Sequence, residues 1–72
     1  METTLYNAQA GREYIIRRID TNDMEMNAFL FSLGCYTGEP IALIARRGKG
    51  RVIAVKDARY SIDAQLASAI II

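Results

Sequence analysis

The chain has 72 residues, 51% of them hydrophobic, and a formal net charge of +1 from nine basic and eight acidic residues. This length suits one domain with a small core, and the near-balance of charge excludes a protein held to nucleic acid or anionic lipid by bulk charge. There is no histidine, no tryptophan and one cysteine, Cys35, which excludes an internal disulfide framework and points to a cytoplasmic protein.

The opening Met1-Glu2-Thr3-Thr4-Leu5-Tyr6 has no basic region followed by an apolar stretch, so no signal peptide is expected. No apolar run approaches the ~20 residues that span a bilayer, so no membrane insertion is expected either. Leu5 to Ala10 reads as a short lead-in. Gly11 opens a first strand over Arg12 to Asp20, with Tyr14 and Ile16 alternating onto one face. The next apolar residue of that face is Ile19, one position late, which predicts a β-bulge or sharp bend around Arg17-Arg18.

A helix is predicted to start near Asn22, with Asn22 and Glu25 in capping-box spacing. Met26, Phe29, Leu30 and Leu33 follow the i, i+3, i+4, i+7 pattern of a core-facing stripe. Gly34 ends the helix, since glycine takes the left-handed conformation without penalty. Met24, Ala28 and Phe31 form a second apolar face, so the helix is either sandwiched or partly exposed.

Ile41 to Arg46 and Arg51 to Lys56 are two apolar runs joined by Arg47-Gly48-Lys49-Gly50. They predict an antiparallel hairpin whose glycines supply the positive φ angles of the turn. Ala58 to Ile62 is a further strand, and Asp63 caps a single helical turn over Ala64 to Ala67. The β-branched tail Ala69-Ile70-Ile71-Ile72 is expected to be pinned as a closing strand. The fold class predicted is mainly β. It is a small, partly orthogonal β-barrel of five short strands, with one α-helix inserted after the first strand and a one-turn helix before the last.

In order and spacing these motifs resemble the FeoA family, the small ferrous iron transport proteins A, from about Leu5 to Ile72. The resemblance is carried by the Gly-led strand Gly11 through Ile19, the helix ending in Leu33-Gly34, and a second glycine before an apolar strand, Gly38 to Leu43. The hairpin and the closing segment Ala58 to Ile70 complete it. The family often has an aliphatic residue where this chain has Cys35, and often a proline just before the second glycine. Here Thr37 stands at that position and Pro40 lies in the strand start. The resemblance implies an SH3-like barrel and an accessory or regulatory role in ferrous iron uptake. The implied partner is the cytosolic GTP-binding part of a FeoB-type membrane transporter. It also implies a kinship with the C-terminal SH3-like domain of metal-dependent repressors.

The residues themselves point to binding rather than catalysis. Without histidine no Ser-His or Cys-His arrangement is possible, and Cys35 reads as a small apolar residue after a helix cap. No catalytic residue and no cofactor is assigned. Asp20, Asp23 and Glu25 flank a helix N-terminus, where negative charge is favourable on structural grounds. As a ligand set they amount to a weak hard-cation site, so no metal site is assigned. Arg46, Arg47, Lys49 and Arg51 cluster on the hairpin and Tyr60 offers a ring for base stacking, which gives a nucleic-acid-binding barrel as an alternative. A solvated turn whose cations protect edge strands is the favoured reading, and no nucleic acid is expected. The candidate partner-binding residues are Met24, Ala28, Phe31 and Tyr36. Set against that assignment, packing of Phe31 beneath a loop is slightly preferred.

Overall fold

The first predicted strand divides in two, and the division organises the fold. The computed structural model describes residues 2–72. In order, its elements are a 3₁₀ turn (Leu5–Asn7), β1 (Arg12–Ile15), β2 (Arg18–Ile19), α1 (Met24–Leu33), β3 (Pro40–Arg47), β4 (Gly50–Val55), β5 (Ala58–Ile62), α2 (Ala64–Ala69) and β6 (Ile70–Ile71). Antiparallel strands in the order β1-β3-β4-β5 form one sheet, and β2 pairs antiparallel with β6 in a second.

At Arg17-Arg18 the structure shows the sharp bend rather than the bulge of the two predicted alternatives, and the bend is a change of sheet. The Ile16 N–H donates to the Glu39 carbonyl at 2.9 Å, while the next amide, Arg17, donates to Ile71 at 2.7 Å. In an uninterrupted strand Ile16 and Ile19 would face opposite sides. The turn between the sheets lets both reach the core, Ile16 fully and Ile19 in part. The bulge of this fold lies in β3, where Leu43 pairs with Ile53 and Ala45 with Val52, leaving Ile44 as the extra residue. The strands therefore enclose the core as two hydrogen-bonded sheets rather than one closed ladder. The C-terminal tail is pinned from both sides. β6 pairs with β2, Thr4 bridges to Ile71, and the Ile72 N–H donates to the Thr3 carbonyl.

Asp23, not Asn22, caps α1. Its Oδ1 accepts from the N–H groups of Glu25 at 2.9 Å and Met26 at 3.2 Å. The Thr21 hydroxyl accepts from the Asp23 N–H at 3.1 Å, which fixes the turn one residue later than the capping-box spacing suggests. The carboxylate then sits at the positive end of the helix. At the other end, Gly34 is left-handed at φ 99°. Its N–H donates to Phe31 and that of Cys35 to Leu30. This is a Schellman closure, and it brings Cys35 and Leu30, both buried, together as its usual apolar pair.

The core-facing stripe of α1 is narrower than predicted. Leu30 is fully buried and Met26 and Leu33 are partly so, but Phe29 is 49% exposed. The helix lies against the body along one line instead of a broad face. Both hairpins turn over two residues. Gly48 supplies a positive φ of 58° between β3 and β4, whereas Gly50 lies in β4 itself. Between β4 and β5, Lys56 and Asp57 take φ of 49° and 66° without any glycine. Asp63 caps α2 by accepting from the Leu66 N–H. α2 runs to Ala69, two residues past the single predicted turn, so β6 begins at Ile70. Leu5, Ile16, Leu30, Cys35, Ile41, Leu43, Ile53 and Ile70 form the fully buried centre.

Candidate docking surface

Met24, Ala28 and Phe31 recur at four- and three-residue steps, which stacks them on one face of α1. That face is turned away from the core. Met24 is 86% exposed, Phe31 is 64% exposed, and Ala28 is also exposed. Phe31 therefore does not pack beneath a loop, because the Leu30 line already anchors the helix and the neighbouring position points outward. Soluble surfaces rarely group large apolar side chains in this way without a use for them.

Gly34 brings the fourth residue to the patch. The left-handed turn reverses the chain so that the half-buried Tyr36 returns along the helix end. Its ring centre lies 5.1 Å from that of Phe31, tilted by 38°. The separation lies within the range of attractive aromatic pairs, in a tilted arrangement. The structure thus brings the four predicted positions to the outer face and end of one helix.

A second ring of contacts surrounds Tyr36. The Lys56 Nζ lies 5.1 Å from the centre of the Tyr36 ring and 2.9 Å from Glu39 Oε2. The Tyr36 phenol and then the Glu39 carboxylate raise the lysine pKa above its ordinary value, so the ammonium is firmly charged. The stem of Lys56 crosses Gly34 so closely that a Cβ there would stand 3.0 Å from Cδ. Glu39 and Lys56 also line a concavity of about 340 Å³ on the sheet, with Glu13, Pro40, Ala42 and Asp57. Lys56 and Glu39 escape a sequence reading because their meeting depends on the β4–β5 turn. Two further exposed side chains, Phe29 and Ile15 (54%), were assigned no surface role from sequence.

The remaining candidates separate. Among the described residues, no three of histidine, cysteine, aspartate and glutamate gather as metal ligands. Asp23 is engaged as a helix cap, and with Asp20 it lines a shallow concavity of about 190 Å³ beside Met26 and Gln65. Arg18 pairs with Glu2 and Asp20. On the hairpin, Arg46, Arg47 and Lys49 are exposed, but Arg51 is not part of a basic surface. It is 2% exposed and donates to the carbonyls of Tyr6, Gly48 and Gly50. β4 alternates strictly, and Arg51 falls on its inward side together with Ile53 and Val55. Tyr60 packs against the core with part of its ring covered. Cys35 is buried, and burial pushes its thiol pKa up to about 11, the opposite of what an activated nucleophile needs.

Comparison with known proteins agrees with this architecture. Residues 3–72 match the FeoA domain. A manganese-dependent transcriptional repressor superposes with a TM-score of 0.90 at 22% identity, covering 99% of this chain and 40% of the repressor. The chain thus spans less than half of that protein. An iron uptake regulatory protein (FeoA) superposes with a TM-score of 0.87 at 24% identity over 99% of this chain and 95% of its own. The FeoA of Stenotrophomonas maltophilia, described as a prokaryotic SH3 domain protein and complexed with zinc, gives 0.84 at 16% identity over 94% and 86%. At these identities the superpositions establish the fold, which is SH3-like. No curated protein matches the chain.

Proposed function

The chain belongs to the FeoA domain family, and on that premise we propose that it is an accessory, non-enzymatic protein of ferrous iron uptake. It acts in the cytoplasm by docking to the cytosolic GTP-binding part of a FeoB-type ferrous iron transporter. The observation that carries the reading is the exposed apolar face of α1, Met24, Ala28 and Phe31, extended by Tyr36. Aromatic side chains set on a rigid helix are the usual anchors of a protein interface. No helix among the described residues is long and apolar enough to cross a membrane. Docking regulates transport only if the chain binds one conformational state of the transporter more tightly than another, because a ligand shifts an equilibrium only by its differential affinity.

The test is a pull-down of the transporter's purified cytosolic domain by the wild-type chain and by Phe31→Ser. The variant is expected to remain folded and to capture much less partner. Undiminished capture by a folded Phe31→Ser would remove this face as the docking surface. A second reading, kinship with the C-terminal domain of metal-dependent repressors, is favoured by the likeness to the repressor fold. The gene beside this one distinguishes the two, since a transporter neighbour supports uptake and a regulated promoter supports repression. Nucleic-acid binding loses support because Arg51 is withdrawn from the hairpin surface.

A further inference from the structure

We propose that Lys56 is a positioning residue of the docking surface: it fixes the Tyr36 ring against Phe31, so that the two aromatics meet a partner as one ordered anchor. The inference rests on the docking reading above and assigns a role to a residue outside the apolar face.

The short segment from Gly34 to Glu39 wraps this one side chain, which reaches it from the β4–β5 turn, distant in sequence. The β4–β5 turn holds both Lys56 and Asp57 in the left-handed region, where residues other than glycine are uncommon. The Val55–Ala58 pairing enforces that conformation and places Lys56 beside the end of α1. Gly34 leaves room for the stem, which passes through the space a side chain there would fill. The ammonium then rests between the Glu39 carboxylate at 2.9 Å and the Tyr36 ring at 5.1 Å. Tyr36 lies in the irregular segment between Gly34 and β3 and has no strand partner to order it. Its ring touches Phe31 on one side and the lysine on another. Ordering the ring before association removes that entropic cost from the binding step.

The charge and the stem of Lys56 can be separated by mutation. Lys56→Met keeps an apolar chain over Gly34 and removes the ammonium, whereas Lys56→Arg keeps a cation. Two readouts are taken on the full chain: ring-to-ring nuclear Overhauser contacts between Phe31 and Tyr36, and affinity for the transporter's cytosolic domain. Lys56→Met is expected to lose the ring contacts and to bind roughly three- to fivefold more weakly, the scale of an exposed cation–π contact. Lys56→Arg is expected to recover most of both. Glu39→Gln, which loosens the ammonium from its other side, is expected to give a smaller loss in the same direction, and it decides the matter should Lys56→Met not fold. Intact ring contacts, or wild-type affinity in the folded variants, would overturn the positioning role alone. Failure of the wild-type chain to bind overturns the docking reading and this inference with it.

Discussion

The Arg51 guanidinium carbon lies 4.0 Å from the centre of the Tyr6 ring, and Nε and Nη2 of Arg51 both donate to the Tyr6 carbonyl, at 3.1 and 2.9 Å. This fork ties the N-terminal 3₁₀ turn to the tip of the β3–β4 hairpin, because Nη1 also donates to Gly48 and Gly50. The cation is buried without a carboxylate beside it among the described residues. Three carbonyls and a ring face compensate it instead.

Removing the fork takes the donors from three carbonyls whose bonds are part-buried, at about 1–3 kcal/mol for each group that water cannot then reach. Arg51→Ala is therefore expected to destabilise the protein by about 2–4 kcal/mol in a denaturant melt. Arg51→Lys is expected to recover only part of this, since an ammonium cannot reproduce the planar fork. A loss below about 1 kcal/mol for the alanine variant would show that the fork does not hold these segments together.

Leu30 and Phe31 are neighbours in sequence with opposite surroundings, fully buried against 64% exposed. Leu30→Ala is expected to cost about 2–5 kcal/mol, because it empties space that the small core cannot fully close. Phe31→Ser is expected to shift stability by about 0.5 kcal/mol or less, as surface changes usually do. Comparable losses from the two variants in the same melt would mean that α1 is rotated about its axis relative to the arrangement described.

Element identity was legible in this chain because its signals are local. Leu33-Gly34 marks the end of α1, Arg47-Gly48 the first hairpin and Asp63 the cap of α2. The exposure of both Phe29 and Phe31 was not legible, because helical period places each on an apolar face and only the tertiary contact along Leu30 selects the buried line. The inward course of Arg51 was hidden for a related reason. Its charge argues for solvent, whereas its place in the alternation of β4 sends it inward, and the lead-in carbonyl that receives it, that of Tyr6, is 45 residues away. The Lys56-Asp57 turn carries no glycine to announce it. With that turn unseen, the clamp of Lys56 on Tyr36 could not be read from sequence.

The N-cap of α1 gives a direct check on one correction. Asp23→Ala removes the acceptor of two backbone N–H groups and is expected to cost about 1 kcal/mol. Asn22→Ala, one residue earlier and outside that pattern, is expected to stay within about 0.5 kcal/mol of wild type. The reverse order in parallel melts would restore the capping box of Asn22 and Glu25.

Cys35 ties stability to alkaline pH. It is 1% exposed, and burial raises its thiol pKa from an ordinary 9.0 to about 11. The folded state thus favours the neutral thiol, whereas the unfolded chain ionises it two units earlier. The stabilising contribution is fully present below pH 9 and is lost as pH rises through about 11. Tyrosines and lysines titrate in the same range, so the measurement is the difference between wild type and Cys35→Ala. That difference is expected to be flat from pH 6 to about 8 and to shrink as pH climbs from about 9 to 11. The same burial makes labelling a probe of opening. At neutral pH a thiol reagent is expected to modify the native chain only as fast as local or global unfolding exposes Cys35, and sub-denaturing urea is expected to accelerate it in step with the unfolded population. Rapid stoichiometric labelling at pH 7 without denaturant would contradict both expectations. It would place the thiol at the surface of the α1 turn, outside the Schellman pairing with Leu30.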